Sequence, residues 1–223
     1  MEPLRVNEEQ NASEECDDYV RAGTFSTAGY RTVFIKPRLS PSSVSVLCYF
    51  FEYARTCATI VLSRYSNGGF NRSWVEYKYG FGTGVRSYWL GNENLYMIVN
   101  SNPEKHFMLK IDVIIEDKLL QSFCEHFRVA NESNKYKASF KASWVLSQIN
   151  TTDRDLDFNG SYFSTFDEDN DNSDEQNCAS LIGGGWWYNN KCSKTRPTGE
   201  SFTWLNYTDL LINYIIMILI QID

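Results

Sequence analysis

The sequence predicts a secreted, disulfide-bonded domain built largely of β-strands with at least one short helix. Three observations carry this. Runs of β-branched and aromatic residues are separated by turn signals, and 15% of the 223 residues are aromatic. Six cysteines, Cys16, Cys48, Cys57, Cys124, Cys178 and Cys192, form no C-x-x-C pair. N-x-S/T acceptors occur at Asn11, Asn71, Asn131, Asn150, Asn159 and Asn206. Cysteines and acceptors together favour the secretory route, with six reduced core thiols as the open alternative.

Residues 1–15 are a polar lead-in with no apolar core of a signal peptide, so the chain is expected to be a fragment of a longer secreted protein. From Tyr30 to Leu62 the sequence reads as strands, as in Val44-Ser45-Val46-Leu47 and Ala58-Thr59-Ile60-Val61-Leu62. Ser66-Asn67-Gly68-Gly69 marks a turn. Trp74, Tyr77 and Tyr79 suit a short helix over 73–79 ended by Gly80. Strands are expected at Tyr88–Leu90, Leu95–Val99 and Phe107–Ile115, the last alternating between core and solvent. Phe123–Ala130 and Tyr136–Phe140 are expected to form a further antiparallel pair. Residues 147–178 are polar and acidic, followed by the apolar Gly-rich block Leu181–Tyr188. The tail Leu210–Ile220 is too short and too interrupted by Asn213 to span a bilayer, so a buried terminal strand is expected. Its nearly unbroken hydrophobicity is odd for a strand with one wet face.

Composition and charge exclude several functions. The net charge of −7 and the absence of a basic stripe argue against a nucleic-acid partner. Two histidines leave a structural zinc site almost no ligands. No phosphate-binding Gly-rich loop precedes Lys-Ser/Thr, and no G-x-S-x-G exists. His106 and His126 are expected within strands, as packed or surface residues rather than partners of a nucleophilic cysteine. No enzymatic activity is expected.

The densest charge cluster is Asp167-Glu168-Asp169-Asn170-Asp171-Asn172-Ser173-Asp174-Glu175. Alternating carboxylates in a loop can turn oxygens inward onto a hard cation such as calcium. An EF-hand fails, because Asn172 stands at its glycine position and Cys178 at its terminal glutamate position. The bland alternative is a solvated acidic loop. Trp186-Trp187 reads either as core packing or as a sugar-stacking platform.

Separated motifs resemble the fibrinogen-like domain family, found in fibrinogen, ficolins, angiopoietins, tenascins and invertebrate lectins. They are Phe163-Ser164-Thr165-Phe166-Asp167-Glu168-Asp169-Asn170-Asp171-Asn172, then Asn177-Cys178-Ala179, then Gly184-Gly185-Trp186-Trp187-Tyr188-Asn189-Asn190. Earlier blocks agree in order: Phe70-Asn71-Arg72-Ser73-Trp74 with Tyr77-Lys78 and Gly80-Phe81-Gly82, then Trp89-Leu90-Gly91-Asn92-Glu93, then Phe127-Arg128-Val129. The resemblance runs from Cys16 to Cys192, with an echo at Trp204 and Tyr207.

The resemblance implies an α+β fold with a central antiparallel sheet, short helices and a loop-rich calcium-binding C-terminal subdomain. The expected divisions are 16–50, 51–146 and 147–223. It implies pairing of Cys16 with Cys48 and of Cys178 with Cys192. Calcium is implied on the side chains of Asp169 and Asp171, with backbone carbonyls near Ser173 and Glu175. A ligand pocket is implied at Asn190, Lys191, Cys192 and Ser193, with a cis peptide before Cys192. Where the family usually has Gly, Trp and an aromatic residue, this protein has Cys57, Thr59 and Cys124. Cys57 and Cys124 lie on segments expected to be near each other, which predicts a third disulfide, with a pair of buried thiols as the alternative. Ser193 stands where lectin-like members carry a histidine, and the following loop is shortened. Two functions follow. One is a calcium-dependent lectin-type module of innate immunity that binds glycans or acetylated groups. The other is an extracellular-matrix or receptor-binding module in which calcium is only structural. Either is expected to be secreted, glycosylated and without a transmembrane span, and oligomeric through an upstream stalk.

Overall fold

A computed structural model describes residues 12–24, 27–51, 56–65, 69–147, 156–200, 203–205 and 212–222. The acceptors Asn11, Asn150 and Asn206, the lead-in before residue 12 and most of the 66–69 turn lie outside the described residues. The elements run α1 (Cys16–Arg21), β1 (Gly29–Ile35), β2 (Val44–Phe50), β3 (Cys57–Arg64), α2 (Trp74–Tyr79), β4 (Phe81–Gly82), β5 (Ser87–Trp89), α3 (Asn92–Asn100), β6 (His106–Ile115), β7 (Lys118–Glu125) and β8 (Arg128–Val129). A 3-10 turn (Glu132–Asn134), β9 (Ala138–Ser139), β10 (Ala142–Ser147), β11 (Phe163–Ser164), α4 (Cys178–Ile182), β12 (Trp186–Trp187) and β13 (Ile212–Ile222) follow.

The main sheet has the order β1-β2-β3-β13-β6-β7-β10, and every pairing in it is antiparallel. β13 lies between β3 and β6, so the last described strand is a central one. Ile215, Met217 and Leu219 enter the main core, while Ile216 and Ile218 enter a smaller cluster with Leu47, Ala58 and Ile60 on the opposite face. Burial on both faces explains why this segment is apolar at nearly every position. It also places a segment assigned by sequence to the third subdomain inside the sheet of the second.

β6 alternates without exception between half-buried and buried positions, as its sequence pattern predicts. On its outer face Lys110 Nζ reaches Asp112 Oδ2 at 2.7 Å, and Gln121 Nε2 of β7 donates to Asp112 Oδ1 at 2.9 Å. α2 begins where Ser73 Oγ accepts from Glu76 N and Glu76 Oε2 accepts from Ser73 N, a reciprocal cap. It ends at Gly80, whose φ of 89° is a conformation glycine adopts without cost.

Several expectations are corrected. Leu95–Val99 is helical, within α3; Leu95, Ile98 and Val99 recur at helical spacing and are buried, a pattern that a short apolar run conceals. Phe123–Glu125 belong to β7, and only Arg128–Val129 pair with Ala138–Ser139. Between them His126 turns through φ 52°, so it lies in a turn and not in a strand. All peptides among the described residues are trans, including the one before Cys192.

Disulfides join Cys16 to Cys48, tying α1 to β2, and Cys178 to Cys192 across 14 positions. Cys57 and Cys124 are not bridged; both are buried free thiols. The sheet order gives the reason. Cys57 is on β3 and Cys124 on β7, with β13 and β6 between them. Three strand spacings are about 14 Å, twice the reach of a disulfide. Burial holds both thiols well above the ordinary cysteine range.

Candidate functional site

The acidic loop leaves β11 and packs beside α2. Its charges divide into two groups. Asp167 Oδ1 accepts from Trp74 N at 2.9 Å and from Thr165 Oγ1 at 2.8 Å, capping the first turn of α2. Glu168 Oε1 pairs with Lys135 Nζ at 2.9 Å. Asn170 donates through its backbone to Ser164 Oγ and through its side chain to Phe163 O, pinning the loop to β11. These groups are structural.

Asp169 and Asp171 form the second group. Asp171 Oδ1 accepts from Ser173 N and its Oδ2 from Cys178 N, each at 2.8 Å. Asp169 Oδ1 lies 3.3 Å from Asp171 N. Among the described residues neither carboxylate pairs with a lysine or arginine. Burial raises the Asp171 pKa, the Cys178 and Ser173 N–H groups oppose that rise, and the Asp169 charge adds to it. The pair is therefore electrostatically frustrated at neutral pH, a condition that a bound divalent cation relieves. Ser173 presents its N–H to Asp171, and Glu175 is exposed. No cluster of three or more His, Cys, Asp or Glu side chains that could hold a metal occurs among the described residues. A cation here would find only two carboxylates, and carbonyls or water would have to supply the rest.

The 189–195 turn, which contains the pocket residues expected from sequence, is closed by its own hydrogen bonds. Asn189 Oδ1 accepts from Lys191 N at 2.8 Å and from Ser193 N at 3.0 Å, and Ser193 Oγ accepts from Asn189 N at 2.9 Å. Cys192 and Ser193 are buried and both have positive φ, 56° and 51°. Asn190 and Lys191 are exposed at the tip.

Sequence reasoning missed the residue that organises this turn. Asp157 accepts from Asn189 Nδ2 at 3.0 Å, Lys194 N at 2.6 Å, Thr195 N at 3.3 Å and Thr195 Oγ1 at 2.6 Å. It also missed Arg64, which is fully buried at the end of β3. Arg64 Nη1 donates to Pro197 O at 2.8 Å and Gly199 O at 2.6 Å, and its guanidinium sits 5.2 Å from the Phe70 ring centroid. A charged residue closing a largely apolar strand was the available signal.

Gly184 and Gly185 are required by close approach. A Cβ on Gly184 would lie 2.1 Å from Thr198 O, and one on Gly185 2.7 Å from the Tyr77 ring. Tyr77 Oη accepts from Gly185 N at 3.0 Å and donates to Phe70 O at 2.6 Å. Trp186 and Trp187 are fully buried, and Trp187 Nε1 donates to Tyr136 O at 2.7 Å. The pair is core packing, not an exposed platform. Of the acceptor asparagines described, Asn71, Asn131 and Asn159 are all exposed. Asn159 Nδ2 already donates to Phe140 O at 3.1 Å.

Around the acidic loop, three large apolar side chains face solvent: Phe166 is 46% exposed, Val75 59% and Leu181 64%. The Trp74–Asp167 hydrogen bond joins the backbone segments that carry Val75 and Phe166, and Asn177 Nδ2 donates to Phe166 O at 3.4 Å, just before α4 and Leu181. The loop is thus an acidic crest with an apolar flank.

The family described as fibrinogen beta and gamma chains, C-terminal globular domain, matches residues 12–214. Human angiopoietin-1 is 30% identical over 197 residues, covering 88% of this chain and 37% of that protein. Bovine fibrinogen-like protein 1 is 31% identical over 198 residues, covering 83% of this chain and 60% of that protein. The chain therefore spans less than two thirds of the length of these relatives. Lamprey fibrin D-dimer, complexed with the peptide ligand Gly-His-Arg-Pro-amide, superposes with a TM-score of 0.79 at 23% identity, covering 96% of this chain and 76% of that one. The fibrinogen-like globe domain of human ANGPTL6 gives 0.77 at 21% identity, covering 96% and 97%. At these identities the superpositions show the fold.

Proposed function

The protein belongs to the fibrinogen C-terminal globular domain family, and from that premise we propose that it is a secreted, non-catalytic module that recognises a protein partner. The apolar flank of the acidic loop carries this reading. Exposed large apolar side chains grouped at one place mark interaction surfaces, and here they border unneutralised carboxylates. A partner with apolar anchors ringed by basic groups is complementary to that surface. The lamprey relative is a fibrin domain complexed with a peptide ligand, which is consistent with peptide or protein contact.

Calcium has a bracing role in this reading. Asp169 and Asp171 supply the carboxylates, with backbone carbonyls near Ser173 and Glu175 completing the set. The ion neutralises the frustrated pair and stiffens the loop behind Phe166; it takes part in no reaction. Two disulfides among the described residues and three exposed glycosylation acceptors support a secreted location. No helix among the described residues is long and apolar enough to cross a membrane.

The glycan or acetyl-group reading is weaker. Ser193 is buried and its hydroxyl is already engaged by Asn189, so the turn offers no imidazole and no open floor. The test is binding of the labelled, oxidised domain to cell surfaces. Binding should survive glycosidase treatment, fall on trypsin treatment, and be lost in Phe166→Asp. Retention on acetylated beads with release by EDTA would replace this reading with the lectin one.

A further inference from the structure

A cleft lies at the other end of α2 from the acidic loop, where the main sheet is split. β2 pairs with β1 along its whole length but with β3 only through Cys48, Tyr49 and Phe50. Beyond that point the same edge of β3 is taken by β5, through Leu62, Ser63 and Arg64. The Val44–Leu47 half of β2 peels away and pairs with no strand on that side among the described residues. β4 pairs only with β5, so its outer edge is also unpaired among the described residues.

These two edges line one half-open cleft of about 270 Å³. One wall is the free half of β2, and the other is the segment from Tyr79 to Gly84. Tyr88 and Trp89 of β5 lie between them. No Asp, Glu, Lys or Arg lines the cleft.

Backbone direction follows from one hydrogen bond. Leu47 N donates to Tyr88 Oη at 3.4 Å, so Leu47 faces away from β1 into the cleft. Strand periodicity turns Ser45 the same way, and Ser45 is exposed. Burial pushes the Tyr88 pKa up to about 12, so the hydroxyl stays protonated at neutral pH. Among the described residues its own hydrogen has no acceptor.

We propose that this cleft binds an extended, uncharged peptide segment, which adds a short strand between the free edges of β2 and β4. Strand addition satisfies the outward edge groups of Ser45, which a compact ligand reaches only in part. The uncharged lining selects against Asp, Glu, Lys and Arg in the bound segment, because none would find a partner there. An apolar or aromatic side chain of the ligand packs on Tyr88 and Trp89. None of the cleft's lining residues belongs to the acidic loop or its apolar flank.

The test uses the full oxidised protein, probed on an array of uncharged peptides composed of Thr, Val, Ser, Tyr and Gly. The best binder is then titrated by fluorescence anisotropy, with methyl glucoside as competitor. Ser45→Pro removes an edge N–H that does not face β1, and should weaken binding about tenfold. Gly84→Asp puts a charge at the cleft mouth, where a Cβ meets nothing within 4 Å and φ is +66°, a conformation Asp tolerates. It should weaken binding at least as much, and it keeps the test alive if Ser45→Pro does not fold. Amide exchange should slow at Ser45 and along Phe81–Gly82 when peptide is bound. Three results overturn the proposal. They are no binder on the array, a binder indifferent to the folded variants, and a binder displaced by methyl glucoside, which would make the cleft a sugar site.

Discussion

The central sheet and the loop region from Leu156 to Leu205 are held together by different physics. In the sheet, β3, β13 and β6 bury apolar side chains along long antiparallel pairings broken by one register shift on each side of β13, and much of the stabilisation is non-directional. Among the described residues of the loop region only two-residue β11 and β12 and five-residue α4 are regular. There the backbone is fixed around a buried aromatic cluster of Phe158, Phe163, Trp186 and Trp187 by point contacts: Arg64 on the 197–199 carbonyls, Asp157 on the 189–195 turn, Asp171 on Cys178, and one disulfide. A sheet built on area loses stability in small steps. A loop region built on single polar anchors loses it in large ones, and it responds to pH, redox state and cations.

The widest gap should appear at Arg64. Arg64→Met keeps the volume but leaves the buried Pro197 and Gly199 carbonyls without their donor, which should cost about 3 kcal/mol or more in chemical denaturation. Protease cleavage near 197–199 should precede global unfolding. A cost below about 1 kcal/mol would show that the loop does not hang on this cation.

Next comes the disulfide. Replacing Cys178 and Cys192 together by Ser should cost about 3 kcal/mol, the scale expected for a closed loop of this length. In the sheet, Ile111→Val removes one methylene at a fully buried position and should cost only about 1 kcal/mol. Equal effects from the two changes would erase the contrast.

The pH response isolates Asp171. Its folded pKa is raised, so the stability it contributes is complete below the unfolded value near 4. That contribution is lost as pH rises through the folded value. In EDTA, the wild-type melting temperature should therefore fall relative to Asp171→Asn as pH climbs from about 4. Calcium should abolish the difference, because a cation bound only to the folded state raises the midpoint by mass action. An identical pH profile for the two proteins, with no calcium shift, would reduce the loop to a solvated one.

The smallest effect concerns the two buried thiols. Cys57 and Cys124 should resist iodoacetamide in the native protein and alkylate together after denaturation without reductant. A peptide map that joined them would contradict the strand order itself.

Much of the sheet was legible in the sequence. Phe107–Ile115 alternates because one face of β6 is wet, and α2 announces its end with Gly80. The 95–99 run was not, because five apolar residues fit a strand and a helix turn equally well, and only Gly91 and tertiary packing settle it. In the acidic loop the cluster was visible, but its division was not. Asp167 and Glu168 are spent on Trp74 and Lys135, partners 93 and 33 residues away in sequence, which no local pattern encodes.

The sequence by itself determined the family, the positions of the strands that alternate, and the unusual density of carboxylates at 167–175. These are local quantities, set by side-chain type and spacing. Tertiary structure alone decided which cysteines can meet, because the distance from Cys57 to Cys124 depends on β13 lying between β3 and β6. It also decided that Asp157 and Arg64 carry the loop region, and that β2 and β4 leave two edges facing one cleft. Those outcomes depend on which distant segments share an edge, and pairing partners are chosen by packing the whole molecule at once.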